Sequence, residues 1–164
     1  MRDWPREIAD AETIVRGICS PYHVSKSGTL KPTAFDPAPN TDEVSVLRHD
    51  WIGTEECRRR SRALENAEQK KVYRGMAALS ARQIRDSGAE VVDSREEFEG
   101  HTDIKHGFVV RPGEPLPPAA LLAMRERNRA LARIAMYYPD PDPAGAVWTG
   151  PPLRPRDDKH GSPG

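Results

Sequence analysis

The chain has 164 residues, 37% of them hydrophobic and 30% charged, with 16 prolines and 25 basic side chains against 25 acidic ones. That length holds one domain with a modest core, and its lean apolar content places part of the chain outside the core. A formal net charge of zero excludes a global field that draws the protein to nucleic acid or an anionic membrane, so any anion site must be local.

The opening residues Met1 to Glu7 lack the apolar core of a signal peptide, and no run approaches the roughly 20 apolar residues that span a bilayer. A cytoplasmic location without a membrane partner is expected. Cys19 and Cys57 have no CxxC spacing, fit a reducing compartment, and read as small buried apolar residues.

In chain order, Asp10 and Glu12 suit the cap and first turn of a short helix in which Ile14, Val15 and Ile18 share a face and which Pro21 stops. Tyr22 to Val24 and Thr29 to Lys31 form the arms of a hairpin-like loop around a Ser25 to Gly28 turn, and Pro32 limits any strand there to an edge or an end. Glu43 to Arg48 is the clearest strand, with Val44, Val46 and Arg48 on one face and Arg48 at a pocket rim. Thr54 caps a polar helix running to about Lys71, with Cys57, Leu64 and Ala67 inward.

Val72 to Leu79 reads as a buried strand in which Gly75 marks a bulge or the close approach of another backbone. Ser80 to Gln83 is a capping box, Gly88 stops that short helix, and Ala89 to Asp93 is a further strand, so this stretch resembles a compact crossover unit. A strand around His101 to Ile104 and a proline-rich connection precede the longest helix, about Pro118 to Tyr137. Leu121, Met124, Leu131, Ile134 and Ala135 face inward on it. The predicted fold is a single α+β domain over residues 1–138: a small mixed or antiparallel sheet covered by helices starting at Asp10, Thr54 and Pro118. Residues 139–164, rich in Pro, Gly and Asp, read as a disordered tail with Trp148 the one anchor.

Three groups carry candidate chemistry. His23, Lys26, Lys31 and Arg48 gather donors for a phosphate, and Arg48 supplies the planar fork suited to bidentate anion binding. On a strand, His101 and Asp103 point the same way, so Asp103 orients an imidazole for acid–base work; with His106 just beyond, the spacing also admits a divalent metal, although a hydrogen-bonded structural histidine accounts for it equally well and no metal or cofactor is assigned. Arg58, Arg59, Arg60 and Arg62 spray around an exposed helix face and pair with Glu55, Glu56 and Glu65, a solvated face rather than a nucleic-acid patch.

Tyr22-His23, Lys26, Gly28, the run Leu30-Lys31-Pro32-Thr33-Ala34-Phe35, then Val44-Ser45-Val46 with Arg48, and later His101-Thr102-Asp103-Ile104, resemble a family of small uncharacterised bacterial proteins. The resemblance imports no catalytic residues. It implies that the segments around His23 and His101 share one pocket. The leading expectation is an accessory protein that binds an anion or nucleotide through His23, Lys26, Lys31, Arg48, His101 and Asp103. One alternative is an enzyme acting on a phosphodiester or nucleotide, with His23, His101 and Asp103 as its acid–base residues. Another is a subunit that docks a protein partner through its Arg-rich and last helices.

Overall fold

The computed structural model describes residues 3–157, and within them six strands form one sheet. In chain order the elements are β1 (Thr13–Ser20), a 3-10 turn (Pro32–Phe35), β2 (Glu43–Arg48), α1 (His49–Arg62), β3 (Val72–Ser80), α2 (Ala81–Asp86), β4 (Glu90–Asp93), β5 (His101–Lys105), α3 (Pro118–Ile134) and β6 (Met136–Pro139). The strand order is β4-β5-β2-β1-β3-β6, and every neighbouring pair is antiparallel. The α+β class predicted from the sequence is the one observed. Among the described residues no helix is long and apolar enough to cross a membrane.

Strand periodicity sorts the core into two layers. Ile14, Ile18, Val44, Val46, Leu79 and Ile104 pack with Phe35, Ile84 of α2 and Leu131 of α3. Val15, Leu47 and Met76 pack on the opposite face with Cys57 of α1. Both cysteines are free and buried, as expected of small apolar residues.

The helix expected from Asp10 is instead β1. A central strand lying between β2 and β3 is buried on both faces, so Ile14, Val15 and Ile18 are all apolar at spacings that satisfy a helix equally well. Helix α1 begins at His49 rather than Thr54, with Gly53 at φ 81° as a left-handed kink inside it, and ends at Arg62 rather than Lys71. Beyond it the chain reverses through a bridge between Asn66 and Lys71, where Asn66 Oδ1 accepts from the Gln69 N–H, and Ala67 is exposed. The capping box at Ser80 is present, with Gln83 closing it. The crossover reading fails at the next step: β4 pairs with β5, and three strands separate it from β3. Helix α3 stops at Ile134, and Tyr137 belongs to edge strand β6, paired with Ala77.

Gly75 does mark a close approach. A Cβ built there would stand 2.2 Å from the Tyr138 carbonyl oxygen and 2.9 Å from the Asp140 nitrogen, both backbone atoms that cannot rotate away. Gly75→Ala is therefore expected to lower the urea midpoint by an amount corresponding to about 1–3 kcal/mol, the usual range for overpacking.

The tail reading does not hold for residues 139–157, which pack first against α1 and then, at Arg156, reach Gln83 of α2 and the end of α3. Asp140 and Leu153 are buried, Trp148 N–H donates to Glu55, and Tyr138 Oη donates to the Arg154 carbonyl. Composition denies this segment a core of its own, but it borrows one by laying Leu153 against Val15, Leu47 and Met76. The rest of that expectation, residues 158–164, falls outside the described residues.

Candidate functional site

The ladder between β1 and β2 is short. It pairs Ile14 with Arg48 and Val15 with Leu47, although both strands run on for several residues. Where the strands part, the Arg16 side chain stands between them: its Nε donates to the Ala34 carbonyl at 2.9 Å and its Nη1 to the Ser45 carbonyl at 3.1 Å. A guanidinium thus takes over a carbonyl that a ladder N–H would otherwise satisfy. Among the described residues no carboxylate forms an ion pair with Arg16. Burial lowers it to about 10, which leaves it charged at neutral pH.

Two adjoining cavities open at this gap, and Arg16, Ser45 and Leu64 line both. The larger, about 840 Å³, is lined by Tyr22, His23, Lys31, Thr33 and Lys71 among others. The smaller, about 220 Å³, is walled by Leu47, Leu64, Phe98 and His101 and includes Ser61. Among the described residues the buried Ser61 hydroxyl has no hydrogen-bond partner. The larger cavity thus carries Arg16, Lys31 and Lys71 together with the Asp36 carboxyl, and the smaller one is more apolar, with Arg60 at its wall.

His23 lines the larger cavity and His101 the smaller, and no single cavity holds both; Arg16, Ser45 and Leu64 form the wall between them. Their states differ. The His23 Nδ1 accepts the Cys19 N–H at 3.0 Å, which leaves a proton on Nε2 and no free lone pair. Burial, then the nearby charges of Arg16 and Lys71, hold its pKa down at about 3, so it is a neutral donor and not the general base the sequence suggested.

His101 is held at both nitrogens: Nδ1 lies 2.7 Å from Ser94 Oγ and Nε2 lies 3.2 Å from Ser45 Oγ. Its ring meets Phe98 edge to face at 4.8 Å. Asp103 also sits on this face of β5, where burial pushes its carboxyl up while a hydrogen bond from Ser94 and the charge of His101 oppose that rise. The partner of His101 Nδ1 is Ser94, which the sequence reading did not single out, and not Asp103. His106 turns elsewhere, its Nε2 donating to the Phe35 carbonyl at 3.0 Å while Nδ1 accepts from Arg127 at 3.0 Å. The three residues with metal-like spacing do not gather, and among the described residues no cluster of His, Cys, Asp or Glu could hold a metal ion.

Arg48 is not at a pocket rim. It has no exposure and is clamped by Glu12 at 2.7 Å and Asp93 at 2.7 Å, with a further bond to the Pro5 carbonyl. The strand face was read correctly, but that face is closed by the residues before β1 and by the end of β4. Lys31 lines the cleft while its Nζ donates to the Pro21 carbonyl at 2.7 Å. Lys26 lies in a neighbouring groove with Arg74 and Tyr137 rather than in the cleft. The Arg-rich helix also departs from a purely solvated face: Arg58 is buried on Asp140, and the Arg60 guanidinium lies 3.5 Å from the Phe98 ring centroid. Arg59 does pair with Glu56 at the surface.

Sequence reasoning missed Arg16, Ser45, Ser61, Lys71 and Ser94. A signal for Arg16 exists once β1 is read as a strand, because a cation then stands at period two between Ile14 and Ile18. Compared with models of known families, with curated proteins and with solved structures, the chain matches none.

Proposed function

We propose that this protein binds a nucleotide or a similar phosphate-bearing anion, as a cytoplasmic accessory protein, in the cleft between β1 and β2. The observation that carries this reading is Arg16, a charged guanidinium facing a cavity and bonded to two backbone carbonyls, with no carboxylate ion-paired to it among the described residues. Lys31, Lys71 and the Nε2–H of His23 lie on the same cavity, where they suit a phosphate. Leu47, Leu64 and Phe98, the last stacked on Arg60, give the adjoining cavity an apolar wall for the rest of the ligand. Arg48 and Lys26 have no part in the site. Docking through the Arg-rich helix has less support, because Arg58, Arg59 and Arg60 are engaged within the fold.

Calorimetric titration with nucleoside mono- and diphosphates and with sugar phosphates tests the reading. Arg16→Gln is expected to weaken binding about 10- to 100-fold, the worth of a hydrogen bond to a charged group, and Lys71→Ala to weaken it several-fold with unchanged thermal stability. Wild-type affinity in both variants, or no binding by the wild-type protein to any member of the panel, overturns it. Since His23 stays neutral down to about pH 3, it adds no pH dependence to binding between pH 5 and 8.

A further inference from the structure

We infer that Ser45 is a nucleophile that attacks the phosphorus of a phosphodiester bound in this cleft, with His101 as its general base. The inference rests on the anion-binding reading for its substrate class and adds a reaction to it.

Ser45 stands apart on its strand. Val44, Val46, Leu47 and Arg48 are buried around it, yet Ser45 is exposed and lines both cavities. The hydrogen-bond directions follow from the chain of partners. The Ser94 oxygen lies 2.7 Å from His101 Nδ1, on the side of the Asp103 carboxyl, and in the inferred state it accepts the Nδ1–H. That fixes the lone pair on Nε2, and Nε2 then accepts the Ser45 hydroxyl at 3.2 Å. An exposed hydroxyl against an imidazole whose far side is anchored toward a carboxylate is the arrangement that activates a serine. Arg16 reaches the Ser45 backbone carbonyl, and its side chain lines the same two cavities as Ser45, which makes it the cation available to a phosphoryl group there.

The chemistry balances with water as the only co-reactant. As Ser45 Oγ bonds to phosphorus, its proton passes to His101 Nε2. The phosphorus–oxygen bond to the leaving group breaks, and the departing alkoxide takes the proton from Nε2. Water then gives a proton to Nε2 and its oxygen bonds to phosphorus. The bond to Oγ breaks, and Ser45 recovers its proton. Arg16 faces the non-bridging oxygens in both halves. Ser94 and Asp103 are positioning residues.

The test is an alkyl fluorophosphonate, which reports a serine able to attack phosphorus, read by intact mass and peptide mapping. One adduct on Ser45 is expected, absent in Ser45→Ala and slowed at least 10-fold in His101→Gln and in Ser94→Ala, with thermal unfolding confirming that each variant is folded. Hydrolysis of bis(p-nitrophenyl) phosphate by the wild-type protein is expected to vanish in Ser45→Ala. No adduct on the folded wild-type protein, an adduct at another residue, or wild-type hydrolysis by Ser45→Ala overturns the inference. Nucleotide binding without an adduct removes this step and leaves the binding reading. An adduct on Ser45 without nucleotide binding keeps the nucleophile and removes that reading.

Discussion

Arg48→Met is expected to destabilise the protein by about 3–5 kcal/mol, the penalty for breaking a buried ion pair from one side, read as a drop in the urea midpoint. The guanidinium is fully buried and bonds Glu12 and Asp93 at once, so its loss strands Glu12 and leaves Asp93 with Arg95 alone to pair its buried charge. It also lies 5.9 Å from the Trp4 ring centroid and 5.6 Å from that of Trp51, so the same variant is expected to change tryptophan fluorescence. Adding Glu12→Gln to Arg48→Met should recover part of the loss, because Asp93 keeps Arg95 and the Glu12 charge no longer stays unpaired. A ligand-binding arginine predicts the reverse pattern, lost affinity at unchanged stability. The pH arm is independent. Burial opposes the Asp93 charge, but hydrogen bonds from Arg95 and Arg48 outweigh it and hold the carboxyl at about 2, against an ordinary 3.8. A depressed folded pKa contributes stability that is complete above the unfolded value and lost as pH falls through the folded one. The wild-type protein should therefore lose this contribution between about pH 4 and pH 2. Arg48→Met should begin to fail at a higher pH.

The contrast between Arg48 and Arg16 shows what the sequence could and could not carry. Period two gave β2 its two faces, and with them the position of Arg48, but what covers a face depends on segments distant in the chain. Glu12 and Asp93 sit 36 and 45 residues away. The two cavities that His23 and His101 line separately, with Arg16 and Ser45 common to both, were not legible in spacing. Nor were the parting strands at which they open, because ladder length is set by backbone geometry and leaves no mark on composition. β1 was misread because burial on both faces erases the alternation that separates a strand from a helix. Ser94 was invisible for a different reason: its hydroxyl meets His101 only because the antiparallel pairing of β4 and β5 brings the two together. The cap at Ser80 and the close approach at Gly75 were legible because each is decided by a few adjacent residues.

Asp140 carries the second large expectation. Its Oδ2 accepts from Arg58 Nε at 2.7 Å and from the Tyr73 hydroxyl at 2.6 Å, and Arg58 reaches on to the carbonyls of Asp142 and Gly145. Arg58 and Tyr73 are each 2% exposed, so Asp140→Ala leaves a buried cation and a buried phenol without their acceptor. A loss of about 3–5 kcal/mol is expected for the charge alone. Burial opposes the Asp140 charge, but bonds from Tyr73, Arg58 and the Asp142 N–H hold its carboxyl below the usual range, so this contribution too is present at neutral pH and lost on acidification. Burial and Asp140 together push the Tyr73 phenol up, which keeps it a donor throughout. Leu153→Ala, which removes only apolar contact, should cost about 2–5 kcal/mol, as large-to-small core changes do. Deleting everything after Pro139 should then lower the unfolding temperature at least as much as Asp140→Ala. Proline and glycine deny this segment a structure of its own, yet Arg58 and Tyr73 cannot be buried without it, so its order and theirs form one equilibrium. Unchanged unfolding in the deletion would uncouple them and return the segment to the role of a tail.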